Sequence, residues 1–203
     1  MQHRRIGIAV LLAASCCAAQ DQQDKKDKPK FEITPAIQQA IDTCARQVVA
    51  WAAERPITAA VAAQNERGPI AGMDEKTWKG LRRRSDEIAA FTKNPAAELL
   101  AARVKATAGV VSEAFLSAAR GEKVAFLEKT SSYIHAGKSK FDVPFHKLQR
   151  WQGEPEFDES SQTYAVQIAV PVLDPADPKK AIGVLVIGLN LTELARPVPA
   201  PGK

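Results

Sequence analysis

Two apolar patterns of different kinds stand side by side between Asp158 and Leu194. From Thr163 to Leu173, Tyr164, Val166, Ile168, Val170 and Val172 alternate with Ala165, Gln167, Ala169 and Pro171, the two-residue period of a strand with unlike faces. From Ile182 to Leu189 nearly every position is apolar, which predicts a central strand covered on both sides. The intervening DPADPKK cannot continue a ladder and predicts a turn with a polar tip. The two runs read as an antiparallel hairpin whose second strand is the middle of a sheet. Tyr164, Val166 and Ile168 need a packing partner, which a long upstream helix can supply. On the other face, Ala165 and Ala169 leave room for a ligand around the one amide, Gln167, which can contact that ligand or hydrogen-bond a neighbouring loop.

Upstream the period is helical. Thr34-Pro35 is a cap followed by proline at the first helical position. Ile37, Ile41, Ala45, Val48 and Ala52 then recur on one stripe, widened by Cys44 and Trp51. Pro56 interrupts this helix before a continuation that ends near Gly68. Asp74 to Lys93 predicts one further helix, with Trp78, Leu81, Ile88 and Phe91 inward and Arg82 to Arg84 in solvent. Asn94-Pro95 starts a third, AAELLAARVKA. Val110 to Ala118 and Lys123 to Leu127 predict two short strands around Arg120-Gly121. Lys129 to Ser161 exceeds the usual connection in a compact domain, and its aromatic content predicts a loop cap folded over the exposed sheet face. The fold class is therefore α+β: helices first, then an antiparallel sheet with a cap and no internal repeat.

The first twenty residues, MQHRRIGIAVLLAASCCAAQ, run from basic to apolar to small. This is the grammar of a secretory leader, with an apolar run shorter than the roughly 20 residues of a spanning helix. Residues 1–19 form the leader, 20–30 a polar linker, 31–194 one domain and 195–203 a Pro-rich tail. Two processing routes are open: cleavage after Ala19, or lipoprotein-type cleavage before Cys16 with that cysteine lipidated. Ala13-Ala14-Ser15-Cys16 resembles a lipoprotein box, with Ala where Leu is usual. Either route exports the chain, to the periplasm or to an outer-membrane anchor in a bacterium. Cys44 then has no framework of paired cysteines around it and reads as a buried structural residue. The net charge of +5 falls to +3 once Arg4 and Arg5 leave with the leader, a mild excess that is scattered except for Lys76 to Arg84 and Lys138 to Arg150. For an exported chain with so mild an excess, nucleic acid is discounted as a partner, and an anionic small ligand stays open.

Candidate chemistry is sparse. No H-E-x-x-H or cysteine-histidine spacing points to a metal, so His135 and His146 read as surface or loop residues. No phosphate loop, dinucleotide fingerprint or G-x-S-x-G points to a cofactor or catalytic nucleophile. Asp158 and Glu159 are an acid-base pair or, more in keeping with their place before a strand, a turn. Lys129 and Lys138 can pair with a carboxylate or stay solvated. Tyr133 and Trp151 can stack on a ligand or fill the core. No enzyme is predicted; a hydrolase would need Asp158 to carry its chemistry.

The order of segments resembles a known family. The long helix, Met73-Asp74 to Trp78, the strand from Glu113 to Leu116, Gly121 to Ala125, KTSSY, FDESSQTYAVQIAVPVLD and IGVLVIGLNLTEL resemble, across residues 31–194, the extracytoplasmic Cache sensor domains. These PAS-like domains, also called PDC, occur on bacterial chemoreceptors and histidine kinases. The resemblance implies a small ligand, anionic or amino-acid-like, held between sheet and cap. It points to Lys129, Thr130, Tyr133, Lys138, Trp151, Asp158 and Gln167 as binding residues. Relatives carry an aspartate where this chain has Ser132. That loss puts an amine-binding carboxylate in doubt, and Lys138, Lys140 and His135 would favour an anion if they point inward. The tail ARPVPAPGK implies a free-standing form that acts through an envelope partner, and long N-terminal helices that pair in the family imply a homodimer. The alternative is a ligand-free envelope scaffold whose pocket is plugged by its own side chains, such as Trp151 or Phe145.

Overall fold

The computed structural model describes residues 31–158 and 162–196. The leader, the whole linker, Cys16, Glu159 and the end of the tail lie outside the described residues. Helix α1 (Pro35–Ala52) starts where Thr34 Oγ1 accepts the amide of Ile37 at 3.3 Å, with proline at the first position. Its Ile41, Ala45, Val48, Trp51 and Ala52 are buried, each large apolar side chain contributing about 1.5–3 kcal/mol. Pro56 falls in the first turn of α2 (Arg55–Arg67), so the chain breaks into two helices there. From α2, Asn65 accepts the amide of Ala119 and donates to the carbonyl of Ile182, both at 2.8 Å, which ties helix to sheet.

The single helix expected from Asp74 to Lys93 is instead two short ones, α3 (Glu75–Gly80) and α4 (Asp86–Thr92). Leu81 turns extended after Gly80 and ends α3, and extended Ser85 starts α4. The bend lets Trp78 and Phe91 meet edge to face at 5.7 Å, a contact that one straight helix could not make across its own surface. Helix α5 (Pro95–Lys105) begins as expected, with Asn94 Oδ1 accepting the amide of Ala97 at 2.9 Å.

Strands β1 (Val111–Ala118), β2 (Lys123–Phe126), β3 (Trp151–Gln152), β4 (Glu156–Asp158), β5 (Thr163–Asp174) and β6 (Asp177–Asn190) form an antiparallel sheet. Its order is β2-β1-β6-β5-β3, with β4 also on β5, so β6 is central as its apolar run predicts. The hairpin is longer than expected at its tip. The ladder reaches Asp174 opposite Asp177, and Asp174 Oδ1 closes the turn by accepting the amide of Ala176 at 3.0 Å.

Cross-strand register assigns the two faces. Leu116, Leu185 and Val170 share one row, on the face that α1 and α2 cover. Phe115, Val186, Ala169 and Trp151 share a row on the opposite face, and Glu113, Gly188 and Gln167 the next row along it. The cap over this second face is not all loop. It contains α6 (Ser139–Lys147) and both short strands β3 and β4, which supply the outer edge of β5 with the backbone partners it otherwise lacks. Trp151 therefore sits on the sheet itself. Short helix α7 (Leu191–Leu194) follows β6, with Asn190 accepting the amides of Thr192 and Glu193.

Candidate functional site

Small residues on the middle strands open the second face of the sheet. A Cβ added to Gly188 would stand 3.0 Å from Cβ of Glu113, so glycine there keeps the floor low. Gln167 lies between opposite charges. Its Nε2 donates to Glu113 Oε2 at 2.7 Å, and its Oε1 accepts from Lys140 Nζ at the start of α6. Around this row lies a cavity of about 600 Å³, with Trp151 and Phe157 as ring surfaces and Glu154 and Glu156 adding carboxylates. Burial lowers the Lys140 ammonium, while Glu113 and Glu156 pull the other way. The lining presents carboxylates, an amide and two rings to a small polar molecule, and the Lys140 ammonium reaches the row through Gln167.

A second polar group lies beneath the cap on the same face. The β1–β2 register slips between Leu116 and Ser117, so Lys123 rather than Val124 pairs with Ser117. Lys123 is fully buried, its Nζ 3.4 Å from the centroid of the Phe115 ring. His135, 4% exposed, packs against that ring with centroids 4.8 Å apart. Among the described residues, Lys123 Nζ, His135 Nδ1, Ser117 Oγ and Glu122 Oε1 have no hydrogen-bond partner. Burial pulls the Lys123 ammonium well below the ordinary lysine range; Glu113 opposes this, and Lys138 and Lys140 reinforce it. His135 is lowered to about 2 by burial and then by Lys123, Lys138 and Lys140.

The cap is fastened close to this group. Glu75 Oε1 accepts the amides of Tyr133 and Ile134 at 3.0 and 2.9 Å, and His135 donates its amide to the carbonyl of Gly121 at 2.8 Å. Gly121 has φ +83°, and a Cβ there would meet the Ala136 amide nitrogen at 2.3 Å. Only glycine allows this approach.

The residues singled out from sequence fall into separate places. Gln167 and Trp151 line the cavity. Lys138 donates to Ser132 Oγ at 2.7 Å on the cap and acts electrostatically on Lys123 and His135. Tyr133 is fully buried against Trp78, its hydroxyl accepting the amide of Ile70 at 3.0 Å. Thr130 donates to the carbonyl of Ser132 at 2.8 Å, and its own carbonyl accepts from the Trp78 indole at 2.7 Å. Lys129 Nζ lies 5.0 Å from the Trp78 ring centroid, away from the cavity row. Asp158 pairs with Thr163 at the end of β4; its side chain lies outside the described residues. His135 is buried rather than at the surface, because β2 and the cap close over it.

Glu113 and Lys123 were missed from sequence. Glu113 could have been found as the one acid in an otherwise apolar and small strand, whereas strand alternation could not foresee the slip that turns Lys123 inward. Cys44 on α1 is half-buried, and burial raises its thiol. Among the described residues no cluster of three or more His, Cys, Asp or Glu is placed to hold a metal ion, and no helix is long and apolar enough to cross a membrane.

A helical layer, a central antiparallel sheet and a capped face with a polar cavity define a PAS-like sensor-domain fold. It is the fold of the extracytoplasmic Cache domains. The sensor domain of the V. cholerae histidine kinase DctB matches with a TM-score of 0.50 at 16% identity, over 88% of this chain and 57% of its own. The sensory domain of the Campylobacter jejuni chemoreceptor Tlp3 gives 0.41 at 12% identity, over 92% and 68%. The E. coli DcuS sensor domain gives 0.37 at 13% identity, over 66% and 94%. At these identities the likeness is one of fold, and the chain spans little more than half of the DctB domain. No family model and no curated protein matches the chain.

Proposed function

We propose that this chain is an exported sensor-type domain that binds a small organic molecule between sheet and cap and passes its state to an envelope partner. The observation that carries this reading is the 600 Å³ cavity built around Gln167, clasped between Glu113 and Lys140. Neutralised polar rows of this kind, walled by rings and floored by glycine and alanine, suit a ligand bearing both charges. An amino-acid-like molecule fits: its ammonium toward Glu113, Glu154 and Glu156, its carboxylate toward the lysines of the cap. Trp151 and Gln167 then contact the ligand, Lys138 supports the cationic end, and Thr130 and Tyr133 hold the cap in register.

A thermal-shift screen of the full chain against amino acids, carboxylates, amines and nucleobases tests the reading. A ligand at a hundredfold excess over its dissociation constant adds about 2.7 kcal/mol to the folded state. A rise for one class that Gln167→Leu abolishes supports the site. No rise for any class removes it and leaves the scaffold alternative, in which this face is an interaction surface.

A further inference from the structure

The deeper polar group is harder to explain as packing than the cavity row is. A fully buried lysine that makes no hydrogen bond within the described residues is costly to the fold, and an apolar side chain of equal length would serve a structural purpose better. Phe115, on which Lys123 Nζ rests, lies on β1 between Ser117 and Glu113. The amine is therefore one strand position from the Glu113–Gln167–Lys140 row. The charges that face it are Glu113 from β1, Glu75 from α3, and Lys138 and Lys140 at the start of α6, with His135 of the cap beside it on the Phe115 ring. Lys138 and Lys140 on the cap side match Glu113 and Glu75 in number, and the orphaned atoms include two nitrogens, Lys123 Nζ and His135 Nδ1. A carboxylate is the group that would satisfy them.

We infer that Lys123, backed by His135 and Lys140, is an inner anion-receiving compartment of the site, and that the carboxylate of the ligand enters it together with one proton from solvent. This rests on the reading of the cavity as a ligand site. No covalent bond changes: burial favours the neutral amine of Lys123, pairing with an incoming carboxylate favours its ammonium, and the proton for that change comes from the buffer. Entry requires α6 and the loop before it to lift from the sheet, since Lys123 is covered in the closed form.

The test uses the full-length protein labelled at the lysine Cε carbons, with acetate, glycine, glutamate and ethylamine as probes. Three results are expected. The Lys123 Cε signal moves from its amine to its ammonium position on adding a carboxylate probe. Calorimetric heats differ between buffers of high and low ionisation enthalpy by the amount for one proton taken up. Affinity for the carboxylate falls about tenfold per pH unit above the free-state titration of Lys123, because the bound form holds the extra proton. Lys123→Met should lose carboxylate binding by at least tenfold while remaining folded. Should that variant fail to fold, the Cε signal of the unsubstituted protein decides alone. Carboxylate binding with an unmoved Lys123 signal and no proton uptake overturns this inference and leaves the proposed function standing. Binding of ethylamine only does the same. Binding of none of the four overturns this inference, and the wider thermal-shift screen then decides the proposed function.

Discussion

The two faces of the central sheet obey different rules. Under α1 and α2, Leu116, Leu185, Ile187, Ile168 and Val170 are all fully buried, and the polar side chains that reach that side, such as Asn65, find partners at ordinary distances. Under the cap, Ser117, Lys123 and His135 are just as buried, yet each keeps an atom without a partner, and glycine and alanine hold space open beside them. A core built only for stability has no reason to bury a lone lysine amine. Departures from good packing that cluster on one face, next to a cavity, are the mark of a face shaped for something other than holding the fold.

The sharpest way to break the contrast is to damage the helix face. Ile187→Ala should cost about 2–5 kcal/mol in chemical denaturation, with ligand response per folded molecule unchanged. The reverse behaviour is expected at Lys123. Replacing it with Met should raise stability by about 1–3 kcal/mol, since an unsatisfied buried group leaves, and should weaken carboxylate binding at least tenfold.

A third prediction concerns pH. His135 is neutral in the folded chain down to about 2, whereas in the unfolded chain it binds a proton near 6.5. Between those values the unfolded state holds the extra proton, so stability rises with pH across that window and is lost on acidification. The slope from this one group is at most about 1.4 kcal/mol per pH unit, and His135→Gln should flatten it in denaturation curves taken from pH 4 to 7. Lys123 acts in the same direction at higher pH: its cost to the fold fades as pH rises toward the ordinary lysine range. The smallest stability effect belongs to Gly188→Ala. It should change stability by under about 1 kcal/mol, while the added Cβ against Glu113 cuts ligand affinity about tenfold.

Much of the helix face could be read from sequence because it follows period and capping. Alternation across Thr163 to Leu173, the apolar run of β6 and the caps at Thr34-Pro35 and Asn94-Pro95 are local signals, and each element formed where its signal stands. The bend between α3 and α4 was missed because the apolar period of Trp78, Leu81, Ile88 and Phe91 continues through it. What breaks the helix is the backbone at Gly80 and Leu81, under the pull of an aromatic cluster that includes Tyr133 and Phe126, far off in sequence. In the site, Ala165 and Gln167 of the β5 face line the cavity whereas Ala169 joins the aromatic cluster, and the partners of Gln167 come from two other elements. Lys123 was invisible to periodicity, since a one-residue slip in the β1–β2 pairing decides which way it points.

Amide hydrogen exchange of the full chain, with and without saturating glutamate, tests the central claim most directly. A ligand held between sheet and cap should slow exchange in Ser139–Lys147 and around Gln167, and leave the amides of α1 and α2 as they were. No slowing in the cap, or slowing confined to the helical layer, would contradict the assignment of this face as the binding site.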